Sequence, residues 1–200
     1  MYPFNSISGS IITGVVLVIV LLLGIHGISG AAVGATHIDR WLHIVSGITW
    51  IGLLYYFNVV HVPGNAVAAA DKGGPGPAGL AKYIAPRALL WFRWAAVATW
   101  VTGAYYLSAG YGDHMSFVNA FTLQPGFRTI GIGAWLGTIM LFNVWVFIWP
   151  NQKKILGIVP ATDEEKAKAR KTALYASRTN FILSLPMLMC MGGQAHGLAF

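Results

Sequence analysis

The stretch from Ile11 to Gly30 leaves a chain of this kind few choices. It holds the unbroken run Val15-Val-Leu-Val-Ile-Val-Leu-Leu-Leu. At roughly 20 residues it is long enough to cross the hydrocarbon core of a bilayer as a helix. A backbone in that medium has no water to bond to, so a helix, which pairs its own peptide groups, is the form expected. The small residues Ala31-Ala-Val-Gly-Ala resemble a signal-peptide cleavage site, but no Lys or Arg precedes Ile11. The segment therefore reads as a retained span.

Four more apolar stretches follow, giving predicted spans at about 11–30, 37–61, 87–110, 129–149 and 180–197. Composition agrees, since 56% of residues are hydrophobic and only 10% charged, against about 25% charged in soluble domains. The expected fold is an all-α integral membrane protein, a bundle of five transmembrane helices forming one domain over 1–200.

Proline and glycine supply the punctuation. Pro63-Gly64 should close the second span, because proline cannot continue the helical hydrogen-bond ladder. Pro150 should stop the fourth in the same way, and Pro186 should kink the last. Residues 65–85, with Lys72-Gly-Gly-Pro-Gly-Pro, and 111–127 read as loops. Trp91, Phe92 and Trp94 at the start of the third span suggest an interfacial aromatic belt. In the polar stretch 151–178, Asp163-Glu-Glu-Lys-Ala-Lys-Ala-Arg-Lys should form a short exposed helix capped by Thr162.

The net charge of +7 does not point to nucleic acid, because the basic residues lie in loops and form no stripe with interleaved aromatics. Lys72, Lys82, Arg87, Lys153, Lys154, Lys166, Lys168, Arg170, Lys171 and Arg178 fall on one side of the predicted topology, Arg40 and Arg128 on the other. The positive-inside rule then puts the amino terminus in the cytoplasm and the carboxyl terminus outside, in the periplasm of a bacterial inner membrane. That orientation sorts the histidines. His26, His37, His43, His114 and His196 fall toward the outer face, and only His61 toward the cytoplasm.

An ionisable ring inside a span is costly and marks a candidate site. On the second span His43, Ser46, Gly47 and Trp50 share a helical face, and on the last span Met189, Gly192, Gly193 and His196 do. Each histidine thus has a glycine notch beside it, as a flat ligand between helices requires. Haem b held by two neutral imidazoles is the expected cofactor, with His43 and His196 as the pair, His26 in reserve, and Arg40 one turn from His43 for a propionate. Plain packing accounts for the same residues in another way. An intramembrane histidine can hydrogen-bond to a neighbouring helix, and Gly133-Ala-Trp-Leu-Gly137 is the small-xxx-small spacing that lets helices approach. Copper is a further alternative, through Met187, Met189, Cys190 and Met191, although alternate methionines on a helix face different ways. Cys190 is the lone cysteine, so an internal disulfide is excluded. No zincin pair, phosphate loop or nucleophile elbow occurs. No carboxylate is expected within any span, which disfavours proton pumping or cation-coupled transport.

Several stretches in order carry a family resemblance. They are Arg40-Trp-Leu-His-Ile-Val-Ser-Gly-Ile-Thr-Trp-Ile-Gly, Trp91-Phe-Arg-Trp with Thr99-Trp-Val-Thr-Gly103, and Gly133-Ala-Trp-Leu-Gly-Thr-Ile-Met. Pro150-Asn-Gln-Lys-Lys and Ser177-Arg-Thr-Asn180 with Leu183-Ser-Leu-Pro-Met-Leu complete the set. Together they resemble the membrane domain of the bacterial urate oxidase (urate hydroxylase) family, in which a multi-span amino-terminal domain precedes a periplasmic c-type cytochrome. The opening of the second span also looks like the haem-binding first helix of membrane protoporphyrinogen oxidases and of copper-resistance membrane proteins. The urate oxidase likeness implies a truncated member without the cytochrome module, since no Cys-x-x-Cys-His occurs. The family pattern has histidines where Ile132 and Thr179 stand here, while His43 matches and His196 sits where a terminal histidine is usual. Urate hydroxylation is therefore not transferred. The expectation is a haem b or electron-transfer subunit of a larger membrane redox complex, exchanging electrons with a periplasmic c-type cytochrome. A cofactor-free accessory subunit is the competing class, and a copper-handling protein the third.

Overall fold

The computed structural model describes residues 5–30, 33–109 and 116–198, and every regular element among them is helical. His114 lies outside the described residues. The chain divides into two compact units, Met1–Ile38 and Asp39–Phe200, with the boundary inside the second helix.

The first unit holds α1, Ile7–Ser29. Ser6 caps it by accepting the Gly9 N–H at 3.0 Å. Gly30 ends it at φ 67°, where its N–H reaches the His26 carbonyl, as a left-handed C-terminal residue does. Ile12, Leu17 and Leu21 are exposed at 62%, 57% and 64%. A helix apolar on all sides has its proper surroundings in lipid.

In the second unit, α2 (Ala35–Tyr55) does not stop at Pro63. A π-helical segment, Tyr56–His61, carries it into α3, Val62–Ala70. The same device recurs twice. A π segment at Leu80–Ile84 leads into α4, Ala85–Ala109, and another at Asn143–Ile148 joins α6, Arg128–Phe142, to α7, Trp149–Ile155. In each case the proline, Pro63, Pro86 or Pro150, is the second residue after the π segment. The residue just before it donates five residues back: Val62 to Phe57, Ala85 to Leu80, Trp149 to Val144. The expectation that Pro63 and Pro150 end their spans is thus corrected. The wider π turn makes room for a ring that would otherwise strike the carbonyl four residues back. Such local adjustment is how helices in lipid absorb proline.

Among the described residues, three helical stretches are long and apolar enough to cross a membrane: Ile7–Ser29, Ala35–Ala70 and Arg128–Ile155. The remaining long helices are α4 and α8, Asp163–Gly193. The exposed helix expected after Thr162 is not a separate short element, for it runs on without a break through Pro186 as part of α8. Between α4 and α6 lies α5, Ser116–Phe121, inside what the sequence suggested was a plain loop. The core joins Trp50 and Leu54 of α2, Leu89, Phe92 and Ala96 of α4, Met140 of α6, Val144 and Ile148 of the π segment, and Met187 of α8.

Polar residues inside the apolar helices serve the backbone around the π segments. Asn58 Nδ2 donates to the Leu54 carbonyl and to Ser177 Oγ, both at 2.9 Å. Asn180, fully buried, donates to the Met140 carbonyl at 2.9 Å and accepts from Asn143 Nδ2 at 2.9 Å. Replacing Asn180 with Ala leaves the Asn143 amide without its acceptor in a dry interior, while the Met140 carbonyl keeps the Asn143 backbone N–H, and should cost about 1–2 kcal/mol. The exposed neighbour substitution Thr179→Ala should stay within about 0.5 kcal/mol; thermal unfolding in detergent separates the two.

The amino end of α8 carries the expected cap in full. Thr162 Oγ1 accepts the Glu165 N–H at 3.2 Å, and the Glu165 carboxylate accepts the Thr162 N–H at 2.8 Å. That backbone hydrogen bond, with Lys154 nearby, holds the Glu165 carboxyl below its usual range. The cap's contribution is therefore complete above the unfolded carboxylate pKa and is lost as pH falls through the lowered folded value. Protection factors of the first-turn amides in hydrogen exchange should follow that course on acidification. Thr162→Ala should remove about fivefold of the protection, matching the ~1 kcal/mol of a lost cap.

Candidate functional site

A cavity of about 770 Å³ opens within the second unit, a size typical of cofactor pockets. Its wall includes Arg40, His43, Gly47 and Trp50 of α2, Thr99 and Gly103 of α4, Gly137 of α6, and Gly192 and His196 from the end of the chain. His43, His196, Arg40, Gly47 and Trp50 thus line one space. His26 belongs to the first unit, in the last turn of α1.

His43 is held by α4. Its Nδ1 lies 2.8 Å from the Thr99 carbonyl oxygen and 3.3 Å from Thr102 Oγ1. A carbonyl can only accept, so Nδ1 carries the proton, and in the neutral ring Nε2 keeps its lone pair. The ring can come this close because residue 103 is glycine. A Cβ at that position would stand 2.8 Å from His43 Cε1 and 3.1 Å from Nδ1. The small residue on α4 therefore creates the seat for the imidazole on α2. Sequence inspection singled out Gly47 beside His43 but not Gly103, since nothing in spacing alone pairs residues on separate helices.

His196 sits on a short 3₁₀ turn, Gln194–His196, after α8. This turn is tied to the start of α6. Gln194 Oε1 accepts the Ile130 N–H at 3.0 Å, Gln194 Nε2 donates to the Gly126 carbonyl at 3.0 Å, and Thr129 Oγ1 donates to the Leu198 carbonyl at 2.9 Å. Ile130 is in the first turn of α6, where the N–H has no partner within its own helix, so Gln194 completes that end. The face read from the sequence is corrected in part: Gly192 and His196 line the cavity, whereas Met189 is 53% exposed and Gly193 packs against Leu198. Met187 and Met191 are the methionines in the cavity wall.

The glycine pair of α6 divides between two uses. A Cβ on Gly133 would lie 3.0 Å from Cys190 Cβ, so this residue admits α8. Gly137 has nothing within 4 Å and lines the cavity, as do Gly52 and Gly192. Of the helix-packing reading, Gly133 alone fits.

The expectation of spans free of carboxylates is also corrected. Asp39 lies in α2, one turn before His43; it is 8% exposed, and its Oδ2 has no hydrogen-bond partner. Elsewhere His61 is buried against Tyr56 and Phe57, with its Nδ1 3.3 Å from Tyr56 Oη. His37 is exposed and helical rather than in a loop. Among the described residues no group of three or more His, Cys, Asp or Glu side chains is placed to hold a metal ion.

The seat of His43 can be checked without any ligand. Histidine-selective ¹⁵N labelling should give a protonated Nδ1 and a bare Nε2 for His43. Gly103→Ala should push the ring from the Thr99 carbonyl and mix the tautomers. Gly137→Ala, whose added Cβ meets no protein atom within 4 Å, should leave the signals unchanged.

Comparison with known proteins bears on the carboxyl-terminal part. Residues 114–200 match the family described as Urate oxidase N-terminal. No curated protein and no solved structure matches the chain. Among the stretches that carried the resemblance, those from Gly133, Pro150, Ser177 and Leu183 onward fall inside the match, as does His196. The ones that begin at Arg40, Trp91 and Thr99 precede it, with His43 and Gly103. Across α5 to α8 and the turn bearing His196, the chain is thus similar to the Urate oxidase N-terminal family.

Proposed function

We propose that the protein is a membrane-embedded electron-transfer subunit that holds haem b in the cavity beside His43. The observation that carries this reading is the hydrogen bond from His43 Nδ1 to the Thr99 carbonyl. A ligating histidine almost always gives its second ring N–H to a carbonyl or carboxylate, which fixes the tautomer and strengthens the other nitrogen as a donor. His43 has that arrangement beside a large, mostly apolar space.

In this reading His43, through Nε2, and His196 would hold the haem iron, and Arg40 would pair with a propionate. Gly47, Gly52, Gly137 and Gly192 keep side chains out of the space a flat macrocycle needs. Trp50, 2% exposed, closes part of the wall. Gln194 holds the His196 turn on α6, so the second ligand is fixed by the body of the protein rather than by a free tail. A bound haem b would supply one-electron transfer. The protein's share is neutral imidazole ligation, a dry wall and a positive charge near the propionates.

The wider assignment extends the same proposal. The helices α4 and α8 cross the bilayer with the three most apolar stretches. The basic loops then lie in the cytoplasm, and the His43 and His196 end faces the periplasm of a bacterial inner membrane. That end would meet a c-type cytochrome or the body of a larger redox complex. The family match supports a redox setting and does not carry urate hydroxylation to this chain.

An absorption spectrum tests the proposal. Protein purified with haem available should show a Soret band and a reducible alpha band at one haem per chain. His43→Ala should lose at least tenfold in haem retention, while Met189→Ala should not. A spectrum without these bands overturns the haem reading and leaves the cofactor-free accessory class, and stoichiometric copper in its place would support the third class.

A further inference from the structure

The cavity is longer than two imidazoles and a macrocycle require. Along α2 its wall runs from Arg40 to Tyr55, about 22 Å at 1.5 Å per residue. The histidines stand at the Arg40 end. At the other end the wall is made by Ile51, Gly52, Tyr55, Met187 and Leu188, all apolar apart from one phenol. A ligand for that end must be soluble in lipid, and it must be thin enough to lie over Gly52, whose Cβ direction is open.

The phenol has an unusual freedom. Tyr55 packs at a tilt against Phe181 with ring centroids 4.9 Å apart, and its hydroxyl lies 3.1 Å from Ser184 Oγ. Ser184 is fully buried, and its Oγ is also 2.7 Å from the Phe181 carbonyl. Ser184 has one proton for two acceptors. When that proton goes to Phe181, Tyr55 donates to Ser184. When it turns to Tyr55, the phenol proton is released and becomes paired once a ligand supplies an acceptor. Rotation of a single buried hydroxyl therefore makes a hydrogen-bond donor available to a ligand.

We propose that this end of the cavity binds a membrane-soluble quinone, one carbonyl accepting the Tyr55 hydrogen bond and the ring lying over Gly52. A phospholipid acyl chain would satisfy the apolar wall but make no use of the phenol. The proposal takes from the preceding reading only the choice of a redox-active ring, and the binding itself does not require haem.

Decylubiquinone titrated into the purified protein, with quenching of tryptophan fluorescence as the signal, tests it. Trp50 and Trp100 line the cavity and report on its contents. Saturable quenching is expected. Tyr55→Phe should weaken it about five- to tenfold, the loss of one neutral hydrogen bond. Gly52→Leu should abolish it by filling the space, with helicity and size-exclusion profile unchanged. Non-saturable quenching in the parent protein overturns the proposal, as does saturable quenching that neither substitution alters. The two readings fail separately: a Soret band without quinone binding removes this one alone, and quinone binding without a Soret band removes the haem.

Discussion

A peptide group in hydrocarbon has nowhere to turn except to its own chain, and this protein places prolines inside its longest helices. The π segments before Pro63, Pro86 and Pro150 are the answer to that constraint. Each widens the helix by one residue where a ring would otherwise strike a carbonyl, and each is followed at once by regular α geometry. The buried asparagines belong to the same solution. Asn58 and Asn180 bring side-chain N–H groups to the carbonyls of Leu54 and Met140 as the helix enters a π segment. In water such amides would add little. In a dry interior they decide which helices can lie side by side.

Small residues set the spaces between those helices, and the structure uses them in opposite ways. Gly133 lets α8 approach α6, Gly103 seats an imidazole, and Gly52 and Gly137 leave room that no protein atom fills. The chemistry of the cavity follows from this division. Three of its polar groups are held from behind: His43 by Thr99, His196 by the Gln194 clamp on α6, Tyr55 by Ser184. A site built in this manner can present a neutral imidazole and a phenol to a flat, apolar ligand without exposing either to water.

Asp39 stands apart from that pattern. It is a carboxyl buried one turn from His43 with one oxygen unmatched, at a place where the sequence suggested only apolar and basic residues. Its position at the edge of a long apolar run hid it, because a run is judged by its average.

The amino-acid sequence is enough to name the solvent. Runs of apolar residues of membrane length, with charge confined to a few loops, leave helices in lipid as the outcome, and the Ile7–Ser29 helix needed no tertiary contact to be read. It also determined the Thr162–Glu165 cap, since a capping box depends only on neighbours in the chain. Helical spacing put Gly47 and Trp50 on the face of His43, because a regular helix fixes phase from residue to residue. Tertiary structure alone decided where the helices end and what faces what. A proline's effect depends on whether the turn before it can widen, so Pro63 and Pro150 could not be read as stops. Helix α8 gives way to a 3₁₀ turn at Gln194, so the phase of the helix does not carry through to His196. The pairing of His43 with Thr99 and Gly103 joins residues more than fifty positions apart, and no periodicity within one helix carries the rotation of another.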